Sequence, residues 1–170
     1  MRLLLVVLTS SLLVLSCAPG GGEDDRSGGD IRDGNGDRPA TASSQTRDLR
    51  LTLTAGRASY QKGKPILFSL TLENRTDEPV VVNWNSGQHF ETAIEDASGK
   101  EVYRWSRGMA FTQALEERTL EPGQTDRLEA TWDQKDPQGK QVASGTYTVT
   151  GSSTASQAPS EVSLAIRIEG

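Results

Sequence analysis

From Leu49 onward, apolar and polar residues alternate with period two, and this alternation restricts the chain to strands with one buried face. Leu49, Leu51 and Leu53 fall on one side of a first strand, with Arg50, Thr52 and Thr54 on the other. Ile66, Phe68, Leu70 and Leu72 repeat the pattern after Pro65, which is tolerated at a strand start because no ladder donor is needed there. Asn74 to Pro79 reads as a turn; Asn74-Arg75-Thr76 matches a glycosylation sequon, but turn chemistry is the better reading. Val80, Val82 and Trp84 predict a third strand, and Phe90, Thr92 and Ile94 a fourth that ends at the turn Ala97-Ser98-Gly99-Lys100. Val102 to Trp105 returns from it, a loop around Ser106 to Met109 follows, and Phe111 to Leu115 is the next predicted strand. After Glu121-Pro122-Gly123-Gln124 come Leu128, Ala130 and Trp132, then Thr146 to Gly151 and Val162 to Ile168. About eight or nine strands at roughly 8 to 12 residue spacing predict an all-β antiparallel sandwich, with Trp84, Trp105 and Trp132 in or near its core.

The N-terminus carries different information. Arg2 and the apolar run Leu3 to Leu15, interrupted only at Thr9, Ser10 and Ser11, form a secretory signal, too short to span a bilayer. Val14-Leu15-Ser16-Cys17 resembles the bacterial lipobox, so residues 1–16 are expected to be removed and Cys17 lipidated. Each buried methylene adds about 0.8 kcal/mol of membrane affinity, which implies a chain anchored to a membrane of the bacterial cell envelope without spanning it. Residues 17–47 are rich in Gly, Asp, Arg, Ser and Thr and bury too little apolar surface to order. They read as a disordered tether whose ~30 residues reach roughly 30 Å. Asp33-Gly34-Asn35-Gly36-Asp37 opens like a calcium loop, but Arg38 and Ser44 stand where glycine and a bidentate glutamate are required. The globular domain is assigned to residues 48–170.

A formal net charge of −5 argues against a nucleic-acid surface. One cysteine and one histidine rule out a disulfide framework, a blue-copper site and ordinary zinc sites, so no metal and no cofactor is expected. His89, opposite Phe90 in the alternation, is expected to face solvent, and no Gly-x-Ser-x-Gly element supports a triad built on it. Adjacent carboxylates such as Glu95 with Asp96 and Glu116 with Glu117 point to opposite strand faces and read as solvated charges. No catalytic residue is assigned.

The segment Ser86-Gly87-Gln88-His89-Phe90, with Gly99-Lys100-Glu101-Val102-Tyr103-Arg104-Trp105-Ser106 and Phe111-Thr112-Gln113-Ala114-Leu115, resembles the BsuPI family of intracellular proteinase inhibitors. Leu120, Pro122-Gly123, Trp132 and Gly145-Thr146-Tyr147 follow in matching order. The resemblance implies an immunoglobulin-like β-sandwich and inhibition of a serine protease of the subtilisin class. An export signal on a relative of an intracellular inhibitor leaves its partner open: a serine protease or another envelope protein. For inhibition a protruding segment is needed, and Ser106, Arg107, Gly108 and Met109 are the candidates, with Met109 as the apolar side chain for a pocket. The competing class is a structural module of the envelope that binds proteins or glycans without inhibiting.

Overall fold

The computed structural model describes residues 36–170. The stretch expected as a signal peptide, Cys17 and the expected tether as far as Asn35 lie outside the described residues. Eleven strands appear among the described residues: β1 (Ala40–Gln45), β2 (Leu49–Ala55), β3 (Ser59–Gln61), β4 (Ile66–Asn74), β5 (Val80–Trp84), β6 (Phe90–Glu95), β7 (Glu101–Arg104), β8 (Glu116–Leu120), β9 (Thr125–Trp132), β10 (Gly145–Ser153) and β11 (Glu161–Glu169). They form a four-stranded sheet β1-β2-β4-β9, a five-stranded sheet β3-β11-β10-β6-β7 and the separate ribbon β5-β8. Every pairing is antiparallel except that of β3 with β11.

Alternation fixes the register, because a slip of one residue would turn every leucine of β2 outward. Leu51 opposes Leu72 and Leu53 opposes Leu70 across β2 and β4, while Ile66 opposes Trp132 on β9. The other large sheet supplies Ile94, Tyr147, Val149, Leu164, Ile166 and Ile168 to the same core. The β5-β8 ribbon adds Val82, Trp84 and Leu120. Trp84 and Trp132 are fully buried as expected, whereas Trp105 is only half-buried. Gly151 lies so close to the facing layer that a Cβ there would stand 2.6 Å from Leu70 Cδ1.

Polar side chains hold the connections. Asn74, wholly buried, donates Nδ2 to the carbonyls of Glu78 and Leu120, both at 2.8 Å, and accepts from the Thr76 amide at 2.9 Å. Its amide is consumed by the turn, consistent with turn chemistry rather than a sequon. Gln134, buried at φ 60°, donates to the carbonyls of Gln61 (3.0 Å) and Lys64 (2.7 Å) and accepts from the Gly63 amide (2.8 Å).

Two boundaries differ from expectation. Strand β1 lies within the stretch read as tether and pairs with β2 from Ala40↔Ala55 to Gln45↔Arg50, so sheet structure begins upstream of Asp48. The strand expected over Phe111 to Leu115 begins instead at Glu116. Sequence alternation missed β1, β3 and β8 because none carries a row of large apolar residues.

Candidate functional site

Between β7 and β8 the chain runs from Trp105 to Leu115 outside any strand, and this connection contains the candidate residues Ser106, Arg107, Gly108 and Met109. It opens with a turn in which the Met109 amide donates to the Ser106 carbonyl at 2.9 Å. Gly108 takes φ 80° at the third position, the place glycine occupies in a type II turn. Beneath the turn lies Glu91 of β6, whose side chain is 11% exposed. Its Oε1 accepts from the amides of Thr92 (2.9 Å) and Ser106 (3.2 Å); its Oε2 accepts from the Ser106 hydroxyl and from Gln88 Nε2 (3.2 Å). Arg104 Nη1 lies 3.4 Å from the same carboxylate.

A second carboxylate steadies the flank. Glu101 pairs with Arg104 and with Arg107 Nη2 (2.6 Å), and the hydrogen bond from Arg104 leads the effects that hold its carboxyl below the usual carboxylate range. The same bond from the other side raises Arg104. Burial raises the Tyr103 phenol beside it.

Farther along, Phe111 packs on Trp105 with ring centroids 5.9 Å apart, and the Gly87 amide donates to the Thr112 carbonyl at 3.0 Å. The approach is close at 87: a Cβ there would meet Thr112 Oγ1 at 2.6 Å and Glu116 Oε1 at 3.3 Å, so both side chains would have to turn aside. Gln113, Ala114 and Leu115 then lie in solvent until β8 begins, and Leu115 is 83% exposed. Met109 is 50% exposed.

His89 departs from expectation. Its side chain is 17% exposed rather than solvent-facing, because the ring stacks on Trp84 at 4.1 Å and 15° while both nitrogens meet carboxylates. Nε2 lies 2.9 Å from Glu116 Oε2, and Nδ1 lies 3.5 Å from Asp126 Oδ2. Arg118 reaches Asp126 Oδ1 at 2.8 Å and sits over the Trp84 ring at 5.9 Å. Glu116, read from sequence as a solvated charge, is thereby tied to the histidine at the first residue of β8. Asp96 is a turn acceptor: the Ser98 hydroxyl and amide, with a smaller contribution from Lys100, hold its carboxyl below the usual range. Among the described residues no group of three or more His, Cys, Asp or Glu side chains is arranged to hold a metal ion.

Sequence reasoning singled out the turn at Ser106 to Met109 but missed Glu91 and Leu115. Glu91 sits between Phe90 and Thr92, and alternation sends it to the open face, where the returning loop covers it. Leu115 was assigned to a strand.

No curated protein matches the chain. Among solved structures it is similar to a β-glucosidase from Listeria innocua (13% identity, TM-score 0.40), covering 75% of this chain and 16% of that one. It is similar also to an alkylpurine DNA glycosylase from Pseudomonas fluorescens (14%, TM-score 0.40; 68% of this chain, 28% of that one). A third likeness is to the CARDB domain of a Pyrococcus furiosus protein (10%, TM-score 0.36; 75% of this chain, 89% of that one). The chain thus spans a small part of the glucosidase, and likenesses of this size say nothing of activity. The family model described as BsuPI, intracellular proteinase inhibitor, matches residues 53–158, more than half the chain and all of the β7–β8 connection. The chain belongs to the BsuPI family of intracellular proteinase inhibitors.

Proposed function

We propose that this protein is a membrane-anchored, non-catalytic proteinase inhibitor that occupies a serine protease of the subtilisin class with its β7–β8 connection. The observation that carries this reading is the family match over residues 53–158. The connection itself adds support, since it is anchored from below by Glu91 and leaves Met109 and Leu115 in solvent. An inhibitor must hold its contact segment in the bound shape beforehand, because ordering it on binding subtracts from affinity. Cys17, lipidated after export, would place the inhibitor on the bacterial cell envelope, where its target is a secreted or surface protease.

Titrating a subtilisin-class protease with the purified full chain tests the reading. Stoichiometric loss of protease activity is expected. Reproducible capture of an envelope protein with no inhibition would favour the binding module instead. Mass spectrometry of the native N-terminus tests the anchor: a diacyl or triacyl mass on Cys17 is expected, and an unmodified mature chain rules it out.

A further inference from the structure

Resting on the inhibitor reading, we infer that the bond presented to the protease is Leu115–Glu116, with Leu115 filling an apolar primary specificity pocket. Leu115 is 83% exposed and makes no contribution to the core, yet Gln113 and Ala114 beside it are exposed as well. A large apolar side chain held in water on a fixed backbone is what a protease pocket takes up.

The backbone has the required form. A substrate enters a protease cleft as an extended strand that adds main-chain hydrogen bonds along an open edge. From Met109 to Leu115 the chain runs without a turn or bend, and it feeds directly into β8, which among the described residues pairs only with β5 and leaves its other edge open. Trp84 opposes Glu116 in the β5-β8 ladder, and the Gly87 amide meets the Thr112 carbonyl farther along. Between these two points, Gln113, Ala114 and Leu115 lie outside any strand and are exposed.

Both sides of the segment are pinned. Thr112 is held by Gly87 and backed by the Phe111–Trp105 contact, and Glu116 is held by His89 at 2.9 Å. The bond after Leu115 therefore lies next to a fixed residue, which preserves the bound shape in the free protein. Met109 lacks these features. Arg107 and Gly108, which would precede it in the cleft, are folded in the turn, with Gly108 at φ 80°.

The experiment measures inhibition constants against subtilisin for the full chain and for Leu115→Asp, Leu115→Met, Met109→Asp and Leu67→Asp, each with its thermal midpoint. Leu67, half-exposed on the outer face of β4, controls for a charge placed at an exposed apolar position. Leu115→Asp is expected to weaken inhibition on the order of 100-fold with an unchanged thermal midpoint, while Leu115→Met and Leu67→Asp stay within about threefold of the parent. Failure of the parent chain to inhibit overturns the inhibitor reading and this assignment with it. Inhibition by the parent that survives Leu115→Asp, or that Met109→Asp removes while Leu115→Asp does not, overturns the assigned bond alone. A lowered thermal midpoint in Leu115→Asp alongside weaker inhibition also overturns it, because the side chain would then be supporting the fold.

Discussion

Glu91→Ala removes the acceptor on which the turn at Ser106 to Met109 rests. In the parent its two oxygens receive the Thr92 and Ser106 amides, the Ser106 hydroxyl and Gln88 Nε2, with Arg104 at 3.4 Å. Hydrogen bonds to a charged acceptor contribute about 1.5–3 kcal/mol each, but water refills part of the vacated space, so the sum falls well short of the bond count. Breaking a largely buried charge cluster costs about 3–5 kcal/mol, and about 3 kcal/mol is the expected loss here because Arg104 is half-exposed and readily resolvated. Against a domain stability of about 5–15 kcal/mol the protein stays folded. Since two of the lost bonds tie Ser106 of the loop to β6 and none joins the two large sheets to each other, the loop should open first.

Glu91→Gln provides the internal standard. It keeps an oxygen for the two amides but puts an NH2 group against Gln88 Nε2 and Arg104, both donors, so its loss is smaller, about 2 kcal/mol. Hydrogen exchange followed by mass spectrometry over peptides covering residues 105–116 reads the effect. At about 1.4 kcal/mol per decade, Glu91→Ala should speed exchange there on the order of 100-fold, and the loop should exchange ahead of β10 and β11. Parental exchange rates in the loop of Glu91→Ala, or an order in which Glu91→Gln is the more damaging, would refute the clamp.

Gly151→Ala forces a Cβ to 2.6 Å from Leu70 Cδ1 in the middle of the sandwich and should cost about 1–3 kcal/mol, read as a lower denaturant midpoint at constant slope. Asn74→Asp replaces the amide that donates to Glu78 and Leu120 with an acceptor facing two carbonyls in a fully buried site. A loss of about 3–5 kcal/mol is expected by chemical denaturation, and a loss under about 1 kcal/mol would contradict the assigned bonds. Glu101 has a folded pKa below its unfolded value, so the unfolded chain binds the extra proton and stability rises with pH through that interval. Its contribution is present above the ordinary glutamate range and disappears as pH falls through the folded value; Glu101→Gln should therefore flatten the acid limb of the stability profile and leave its neutral limb parallel to the parent's.

The rows of large apolar residues made β2, β4, β5 and β11 legible in the sequence, because each carries enough leucine, valine or isoleucine on one face to demand burial. Strand β1 was not legible: Ala40 to Gln45 has only small and polar side chains and is ordered by its ladder to β2, a long-range cause. The site was less legible than the fold for the same reason. Alternation gives the face of a residue but not what returns to cover that face. Glu91 points to the side expected to be open and is enclosed by Ser106 and Arg104, which follow it by more than ten residues. His89 is likewise drawn inward by Trp84, Glu116 and Asp126 from three different strands.

The single cysteine of the chain lies at position 17, so no disulfide can brace the β7–β8 connection. Fixing a backbone residue costs about 1–2 kcal/mol, and a connection from Trp105 to Leu115 left free would bring that whole cost to the encounter with a partner. Polar clamps substitute for covalent ones: Glu91 under the turn, Gly87 on Thr112, and His89 on Glu116. These contacts order the loop while the domain folds, so the core's surplus absorbs the entropy before any partner arrives. They also explain why the exposed segment is short. Gln113, Ala114 and Leu115 stay in solvent between the last two clamps, and among the described residues Leu115 is the large apolar side chain left almost wholly in water.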